Sequence, residues 1–464
     1  MALILLAGVT VSCKDKTPVD EPVSTGDVTE DVSDGAPTPI MADFGDYEFR
    51  VLTRGSGGWQ CDDISGMLTG TIAERAVYER NQILKNKYNF RVVEEKAGDW
   101  VTRAETTSAA AQDVFDMWSF RMNDMPGFGQ KGYLYNLNEV DGINLDAPYY
   151  DQNLRKQGSF ANYLFFLTGD MVYMDDMSTA VFMFNKTMWD NERLTEEFGM
   201  DMYGLVDSGN WTLENFEKIA KALTKDEGDG VMNEKDQYGF SYQNADILAL
   251  NIAANNELLT KNDEDVFVLN QDARMINCLE KIMNFLNTTY SSNSTDSPDL
   301  WTAGRQFIDM VYISYLPKWN NVSFEFGVVP PCKIDTAQEN YRAFITTFGS
   351  NSVTICSTVK DVDRTANIIE LMSYESMNRV TPKFNEYLFG GRLTQREADQ
   401  RMLNIIMNNR RYELCYLWST GSLYSTMVSV KNADGVGIAS ALKSCESAVA
   451  ASIDRKLERL NNIG

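Results

Sequence analysis

The sequence of 464 residues contains no histidine, and its 42 lysines and arginines are outnumbered by 66 aspartates and glutamates. Without histidine, Ser-His and Cys-His nucleophile pairs, imidazole zinc sites and His-ligated haem are excluded. The net charge of −24 argues against a nucleic-acid partner, because phosphate binding needs clustered basic residues. We expect neither a metal nor a cofactor, and any catalysis would depend on carboxylate, Lys, Tyr or Cys side chains.

Cysteine is also scarce, and no two cysteines form a CxxC pair. After Cys13, six are scattered along the chain: Cys61, Cys278, Cys332, Cys356, Cys415 and Cys445. This spacing disfavours a metal cluster. An even count would permit disulfides outside the cell, but a chain of this length does not need them. We therefore expect mostly free, buried thiols.

The chain begins with a short apolar run, MALILLAGVTV, that ends at Ser12 and Cys13. The run is too short to cross a bilayer and has the length of a signal-peptide core. It resembles a bacterial lipoprotein signal, which implies cleavage before Cys13 and lipid attachment to its sulfur. Thr10 stands where such signals usually carry Leu, and no basic residue precedes the run. The alternative is a hydrophobic N-terminal strand with a chance cysteine.

Residues 14–46 contain two basic and nine acidic residues and four of the eleven prolines. With so little apolar surface the segment cannot offset the entropy cost of folding. We expect a disordered acidic tether that places the folded body after about Tyr47.

The body begins with alternating strands and helices. Strand patterns at 47–53, 90–95 and 114–120 are separated by helical patterns at 72–88 and 101–112. This β-α-β-α-β order predicts a parallel sheet with helices on its faces, and ligands of such sheets bind beyond the carboxyl ends of the strands. The fold class is therefore α/β.

A second region follows from about residue 170. Strand patterns at 179–186 and 239–243 lie on either side of a helix that starts at Trp211-Thr212, where Thr212 can cap the helix. Trp211 is expected to be a packing residue. The acidic run at 226–236 suggests a calcium loop, but Lys225 falls on the first ligand position if Gly230 takes the sixth. An acidic surface turn is favoured.

Several stretches, taken in order, resemble the extracellular solute-binding proteins of family one, the sugar-binding lipoproteins of bacterial ABC importers. They are VYERNQILKNKYNFRVV (Val77–Val93), DVFDMWSF (Asp113–Phe120), STAVFMFNKTMWD (Ser178–Asp190), GNWTLENFEKIAKALTKD (Gly209–Asp226) and FEFGVVPPCK (Phe324–Lys333). The resemblance spans roughly Tyr47 to Leu460 and depends on the order and spacing of these stretches.

The resemblance implies a two-lobed, periplasmic-binding-protein-like fold with a hinge of crossing segments and a ligand cleft between the lobes. The N-terminal lobe would comprise residues 47–175 and 333–376, and the C-terminal lobe residues 176–332 and 377–464. Ligand would favour the closed arrangement of the lobes through its contacts with both.

A sugar offers an apolar ring face and an edge of hydroxyls, which aromatic rings and planar polar groups match. Strand-end positions select the candidate ligand contacts. They are Trp59, Trp118, Phe120, Arg121 and Asp124 in the N-terminal lobe, Asp175 and Asp176 at the first crossing, and Tyr242, Gln243, Tyr312, Tyr315 and Trp418 in the C-terminal lobe. Each has an alternative interpretation, as a core residue or, for the two aspartates, as a solvated hinge turn.

The sequence therefore predicts a monomeric, lipid-anchored protein on the extracellular face of the cell membrane. It would deliver a carbohydrate, an oligosaccharide in the first instance, to ABC permease subunits, and it would not be an enzyme. A secreted glycosidase needs only two carboxylates and stays an alternative. A receptor for a peptide or polyamine, and an adhesion protein, are further alternatives.

Overall fold

The structure is a computed structural model. It describes residues 41–55, 62–242, 246–288, 291–293, 297–316, 322–389, 396–432 and 437–463. Cys13, most of the predicted tether, Trp59, Cys61 and Gln243 lie outside these ranges. No helix within them is both long and apolar enough to span a bilayer.

The strands, in chain order, are β1 (Tyr47–Arg54), β2 (Phe90–Ala97), β3 (Met117–Arg121), β4 (Ala180–Asn185), β5 (Tyr238–Tyr242), β6 (Leu259–Lys261), β7 (Phe267–Leu269), β8 (Ser291–Asn293), β9 (Gln306–Tyr312), β10 (Phe326–Val329), β11 (Ala343–Phe344), β12 (Asn351–Ile355) and β13 (Arg410–Arg411).

The α-helices are α1 (Ile72–Tyr88), α2 (Trp100–Ala109), α3 (Met125–Gly129), α4 (Gln152–Gln157), α5 (Met174–Met177), α6 (Lys186–Asn191), α7 (Leu194–Phe198), α8 (Met202–Asp207), α9 (Leu213–Leu223), α10 (Asp246–Ala253), α11 (Ala273–Leu286), α12 (Ser297–Thr302), α13 (Val362–Phe389), α14 (Glu397–Asn408), α15 (Leu414–Leu417), α16 (Leu423–Asn432) and α17 (Ile438–Asn461). 3-10 turns cover Met122–Asp124, Leu137–Glu139 and residues 313–316.

The first sheet has the strand order β12-β3-β1-β2, in which β1 pairs parallel to both β2 and β3. The predicted β-α-β-α-β unit is confirmed, and β12 joins it as an antiparallel strand. Because strand side chains alternate between faces, Phe49 and Val51 pack on one face with residues of α1 and α13. Trp118 and Phe120 pack on the other face with α2 and α3.

Helix α1 forms because its ends are capped and one of its faces is apolar. Thr71 and Glu74 make a capping box, with Glu74 N donating to Thr71 Oγ1 at 3.2 Å and Thr71 N donating to Glu74 Oε2 at 2.7 Å. Asn89 ends the helix in the left-handed region, with φ of 57°. Helix α13 packs along α1, and its Val380 and Phe384 lie against the apolar face of α1.

The second sheet has the strand order β10-β4-β9-β5-β8. Trp211 is fully buried beside it and donates from Nε1 to the carbonyl of Pro330 at 2.8 Å, which confirms the predicted packing role. Thr212 caps α9 as predicted, by accepting from Asn215 N at 3.4 Å. Helix α14 packs on β10, and α17 packs on α11 and α16.

Five of the six cysteines of the body are free and buried, as predicted: Cys278, Cys332, Cys356, Cys415 and Cys445. Burial raises the pKa of the Cys332 and Cys356 thiols. They therefore behave as small apolar groups of the core.

Replacement of Thr71 by alanine should lower the free energy of unfolding by about 1 kcal/mol, because the first-turn amides of α1 lose their side-chain acceptor. Thr71→Ser keeps the acceptor oxygen and is the matched control. Urea unfolding followed by far-UV circular dichroism measures both variants. Equal stability of Thr71→Ala and the unaltered protein would contradict the capping role.

Candidate functional site

The carboxyl ends of β1 and β3 and the start of β12 form one polar wall, which we call the first wall. Arg121 donates from Nε to Asp124 Oδ2 at 3.0 Å. The Arg121 guanidinium also lies over the Phe348 ring, 4.8 Å from its centroid. Arg54 donates from Nη2 to Asn351 Oδ1 at 2.9 Å. The wall therefore presents fixed, planar polar groups beside an exposed aromatic ring.

Asp124 lies mostly out of contact with water, and burial raises its pKa against the opposing effects of Arg121 and Arg54. The bond to Arg121 fixes the direction in which its free lone pairs point. Such a carboxylate is suited to accept hydrogen bonds from hydroxyls of a ligand.

A recessed pocket of about 150 Å³ continues the first wall toward β2. Its lining side chains are polar or charged: Thr53, Arg54, Asp62, Asp63, Glu74, Glu94, Lys96, Ser119 and Asn351. Thr53 donates to Glu94 Oε1 at 2.7 Å, so at least one lining carboxylate is held in place.

A second wall is formed by the end of β9 and by α15 and α16. Tyr416 and Tyr424 lie with ring centroids 5.4 Å apart and planes tilted by 53°. Tyr312, at the end of β9, interacts electrostatically with both and with Asp246 at the start of α10. All three tyrosines are half-buried, and burial raises the pKa of each. They therefore stay neutral phenols, whose hydroxyls can both donate and accept hydrogen bonds.

The two walls approach each other closely. Helix α15 contacts the 3-10 turn Met122–Asp124 of the first wall. The positive charge of Arg121 is near enough to lower the pKa of the Tyr416 phenol, whereas burial raises it. A ligand held by Arg121 and Asp124 could therefore reach the tyrosine rings at the same time.

Three chain segments lie side by side where the chain passes between the two sheets. Thr346 N donates to Ser178 O at 3.1 Å, and Ile345 N donates to Arg411 O at 3.0 Å. Strands β11 and β13 pair in parallel within this group. We call residues 175–179, 343–346 and 410–412 the crossing segments.

One arginine joins the crossing segments through ion pairs. Arg410 lies 3.4 Å from Asp151 and 3.6 Å from Asp175, and it also pairs with Asp176. Tyr412 donates to the same carboxylate of Asp151 at 3.1 Å. Burial, and next the charge of Asp176, raise the pKa of Asp175 well above its usual range. Asp175 and Asp176 thus pair with Arg410 of the crossing segments, and ligand contact at these two residues stays a prediction.

Four of the predicted aromatic contacts are buried. Trp118 and Phe120 stack in a ring cluster beneath the first sheet, with centroids 5.4 Å apart. Tyr242 donates to the Leu286 carbonyl at 3.0 Å, and Trp418 donates from Nε1 to the Gly158 carbonyl at 3.1 Å. These are the positions expected of core residues, because strand ends and helix interiors pack from both sides here. Ligand contact at these four residues stays a prediction.

Arg121, Asp124, Tyr312 and Tyr315 are at least partly exposed, and the first three lie in the two walls. Trp59 and Gln243 lie outside the described residues. Sequence reasoning missed five wall residues: Arg54, Phe348, Asn351, Tyr416 and Tyr424. The tyrosines stand in helices of few turns that lack a periodic pattern, so only their nearness to Trp418 could have drawn attention to them.

The acidic loop at 226–236 uses its carboxylates to close itself. Asp236 accepts from Glu227 N at 2.7 Å and from Asn233 N at 2.6 Å. Asp226 accepts from the amides of Gly228 and Gly230. These bonds are the geometry of the surface turn that the sequence favours over a calcium loop.

Asp170 lies beside the crossing segments, where Thr381 of α13 donates to its carboxylate. Burial and, to a smaller extent, the charge of Asp176 raise the pKa of Asp170 to about 6, against the opposing effects of the Thr381 hydrogen bond and the Arg410 charge. The native state therefore retains this proton at pH values where the unfolded chain has lost it. The contribution of Asp170 to the free energy of unfolding should fall as pH rises through about 4 to 6.

Asp170→Asn removes this titration. The free energy of unfolding of the variant, relative to that of the unaltered protein, should be on the order of 1–2 kcal/mol higher at pH 7 than at pH 4. Chemical unfolding at both pH values measures the difference, with Asp207→Asn at an exposed ion pair as control. A difference that does not change with pH would show that Asp170 keeps an ordinary pKa.

No protein-family model matches the sequence, and no curated protein matches it. Many solved structures match. The sugar-binding protein MalE from Xanthomonas citri aligns over 90% of this chain and 100% of its own, with a TM-score of 0.62 at 11% identity.

An ABC substrate-binding protein from Listeria monocytogenes in complex with cycloalternan aligns over 89% and 99% of the two chains, with a TM-score of 0.51 at 13% identity. UgpB from Mycobacterium tuberculosis in complex with glycerophosphocholine aligns over 82% and 96%, with a TM-score of 0.55 at 15% identity. The chain therefore has the two-lobed α/β fold of periplasmic-type solute-binding proteins, with a hinge of crossing segments.

Proposed function

We propose that this protein is an extracellular solute-binding protein that captures a carbohydrate, an oligosaccharide in the first instance, and delivers it to the permease of an ABC importer. The observation that carries the proposal is the pairing of the two walls. The first wall offers Arg121 and Asp124, which are held in place by the hydrogen bond between them. The second wall offers the half-buried Tyr312, Tyr416 and Tyr424.

The chemistry of the walls matches the two aspects of a sugar. Tyrosine rings present flat apolar faces that pack on the C–H face of a pyranose ring, and their hydroxyls stay neutral. Arg121, Asp124 and Asn351 provide donors and acceptors for the hydroxyl edge. A ligand that touches both walls favours the arrangement in which they are close, which is the physical basis of lobe closure.

The contacts of two segments favour shifted lobe boundaries. Lys333 N donates to the Trp211 carbonyl at 3.1 Å, so residues 333–342 would belong to the C-terminal lobe. Val380 and Phe384 pack against α1, so residues 377–389 would belong to the N-terminal lobe. The second crossing would then lie at residues 343–346.

The proposal includes the predicted lipid anchor at Cys13, a location on the outer face of the cell membrane and a monomeric state. The apolar run before Cys13 and the acidic segment after it support the anchor and the tether. Trp59, Gln243 and Tyr315 are retained as further candidate contacts. The proposal assigns no catalytic step, and Asp175 and Asp176 are assigned to the hinge.

One observation favours a second candidate, a small ligand that carries an ammonium group. Tyrosine rings near the buried Asp246 carboxylate are suited to a quaternary or primary ammonium. Glycerophosphocholine and polyamines therefore belong in the binding panel beside the oligosaccharides.

Isothermal titration with linear oligosaccharides of several sugar types, glycerophosphocholine, polyamines and peptides tests the proposal. We expect binding of an oligosaccharide without release of product. Tyr424→Ala should weaken it at least tenfold, because a stacked ring is lost from the wall.

Tyr374→Ala is the matched control, because Tyr374 is a half-buried tyrosine of α13 whose ring packs on Tyr149, 6.4 Å between centroids. It should leave the affinity unchanged. Binding of ammonium ligands alone would transfer the assignment to the second candidate. Hydrolysis of the bound saccharide would favour a glycosidase instead.

A further inference from the structure

The recessed pocket of the first wall differs from the rest of the cleft in its chemistry. Its volume of about 150 Å³ is roughly ten times the space that one water needs. Every described side chain that lines it is polar or charged, and none is aromatic. The described lining therefore holds a group that enters the pocket by hydrogen bonds.

Ser119 Oγ is buried at this pocket and has no hydrogen-bond partner among the described residues. Glu94 Oε2 is buried as well, and Lys96 Nζ lies 3.9 Å from it. Ser119 is 1% exposed, and the Glu94 side chain is 7% exposed. The other oxygen of Glu94 accepts from Thr53 at 2.7 Å, which fixes the carboxylate. Because a buried polar atom without a partner is costly, a ligand hydroxyl that reaches Ser119 Oγ gains more than one at an exposed site.

The walls of the pocket also restrict which part of a ligand can enter. Residues near the ends of β1, β2 and β3 line it, together with Glu74 in the first turn of α1 and Asp62. A sugar unit inside a chain or a ring is bonded on both sides and cannot enter such a recess. A terminal unit has one free end and can.

We propose that this pocket receives the terminal sugar unit of a linear oligosaccharide, held by its hydroxyls, so that the cleft discriminates against cyclic saccharides and against chain interiors. The inference rests on the proposed function. The pocket also has four carboxylates, at Asp62, Asp63, Glu74 and Glu94, against the two cations Arg54 and Lys96. A terminal unit that carries a carboxylate or a phosphate is therefore excluded as well.

The test uses the full chain and isothermal titration with neutral linear oligosaccharides, cyclic oligosaccharides of the same sugars, and uronic-acid-terminated chains. Two derivatives of the linear saccharide that binds most tightly are also titrated. In one the non-reducing end is blocked, and in the other the reducing end is reduced to an alditol. We expect the cyclic and acidic saccharides to bind at least tenfold more weakly. One of the two end modifications should weaken binding to a similar degree.

Ser119→Val replaces the buried hydroxyl at the pocket by a bulkier apolar group and should weaken binding of the linear saccharide at least tenfold. Ser352→Val is the matched control. Ser352 is fully buried and its Oγ also has no described partner, but it pairs with Phe120 and so faces the other side of the sheet. Glu94→Gln, which keeps the size of the side chain and removes its charge, tests the same pocket if Ser119→Val does not fold.

The inference would be overturned if cyclic and linear saccharides bound with equal affinity. It would also be overturned if the Glu94→Gln variant bound the linear saccharide as tightly as the unaltered protein does. Either result would leave the proposed function intact. Binding of no saccharide at all would overturn both. Loss of affinity in Ser352→Val to the same extent as in Ser119→Val would show a general effect on the sheet, and this too would contradict the pocket's role.

Discussion

The ion pairs of Arg410 are the constraint on which the arrangement of this protein depends. Arg410, whose side chain is 15% exposed, faces Asp151 from one part of the chain and Asp175 and Asp176 from another. Because charge is costly away from water unless it is paired, these groups hold the crossing segments side by side. A rotation of one lobe against the other can therefore bend the chain here while the segments stay together.

Everything that a ligand would touch is positioned from this point outward. The first crossing leads into β4 and the second leads toward β12, whose first residue, Asn351, supports Arg54. Strand β13, which pairs with β11 at the second crossing, lies just before α15, which brings Tyr416 toward the first wall. The same feature that fixes the hinge thus fixes the distance between a wall of planar polar groups and a wall of phenol rings.

The sequence predicted the fold well because its signals are local. Alternation in β1 and β2, the cap at Thr212 and the packing role of Trp211 follow from neighbouring residues. The site was predicted less well because contacts from distant parts of the chain decide it. Trp418 has its partner Gly158 260 positions away, and the charges of Asp175 and Asp176 are matched by an arginine that no local pattern connects to them. Tyr416 and Tyr424 gain their importance only when α15 and α16 are placed against the first wall.

The central claim is that the lobes close on a carbohydrate by bending at the crossing segments. Small-angle X-ray scattering on the full chain, with and without a saturating oligosaccharide that titration shows to bind, measures this most directly. The account predicts a smaller radius of gyration in the bound state, since ligand contacts favour the closed lobes. An unchanged radius of gyration at full saturation would contradict it.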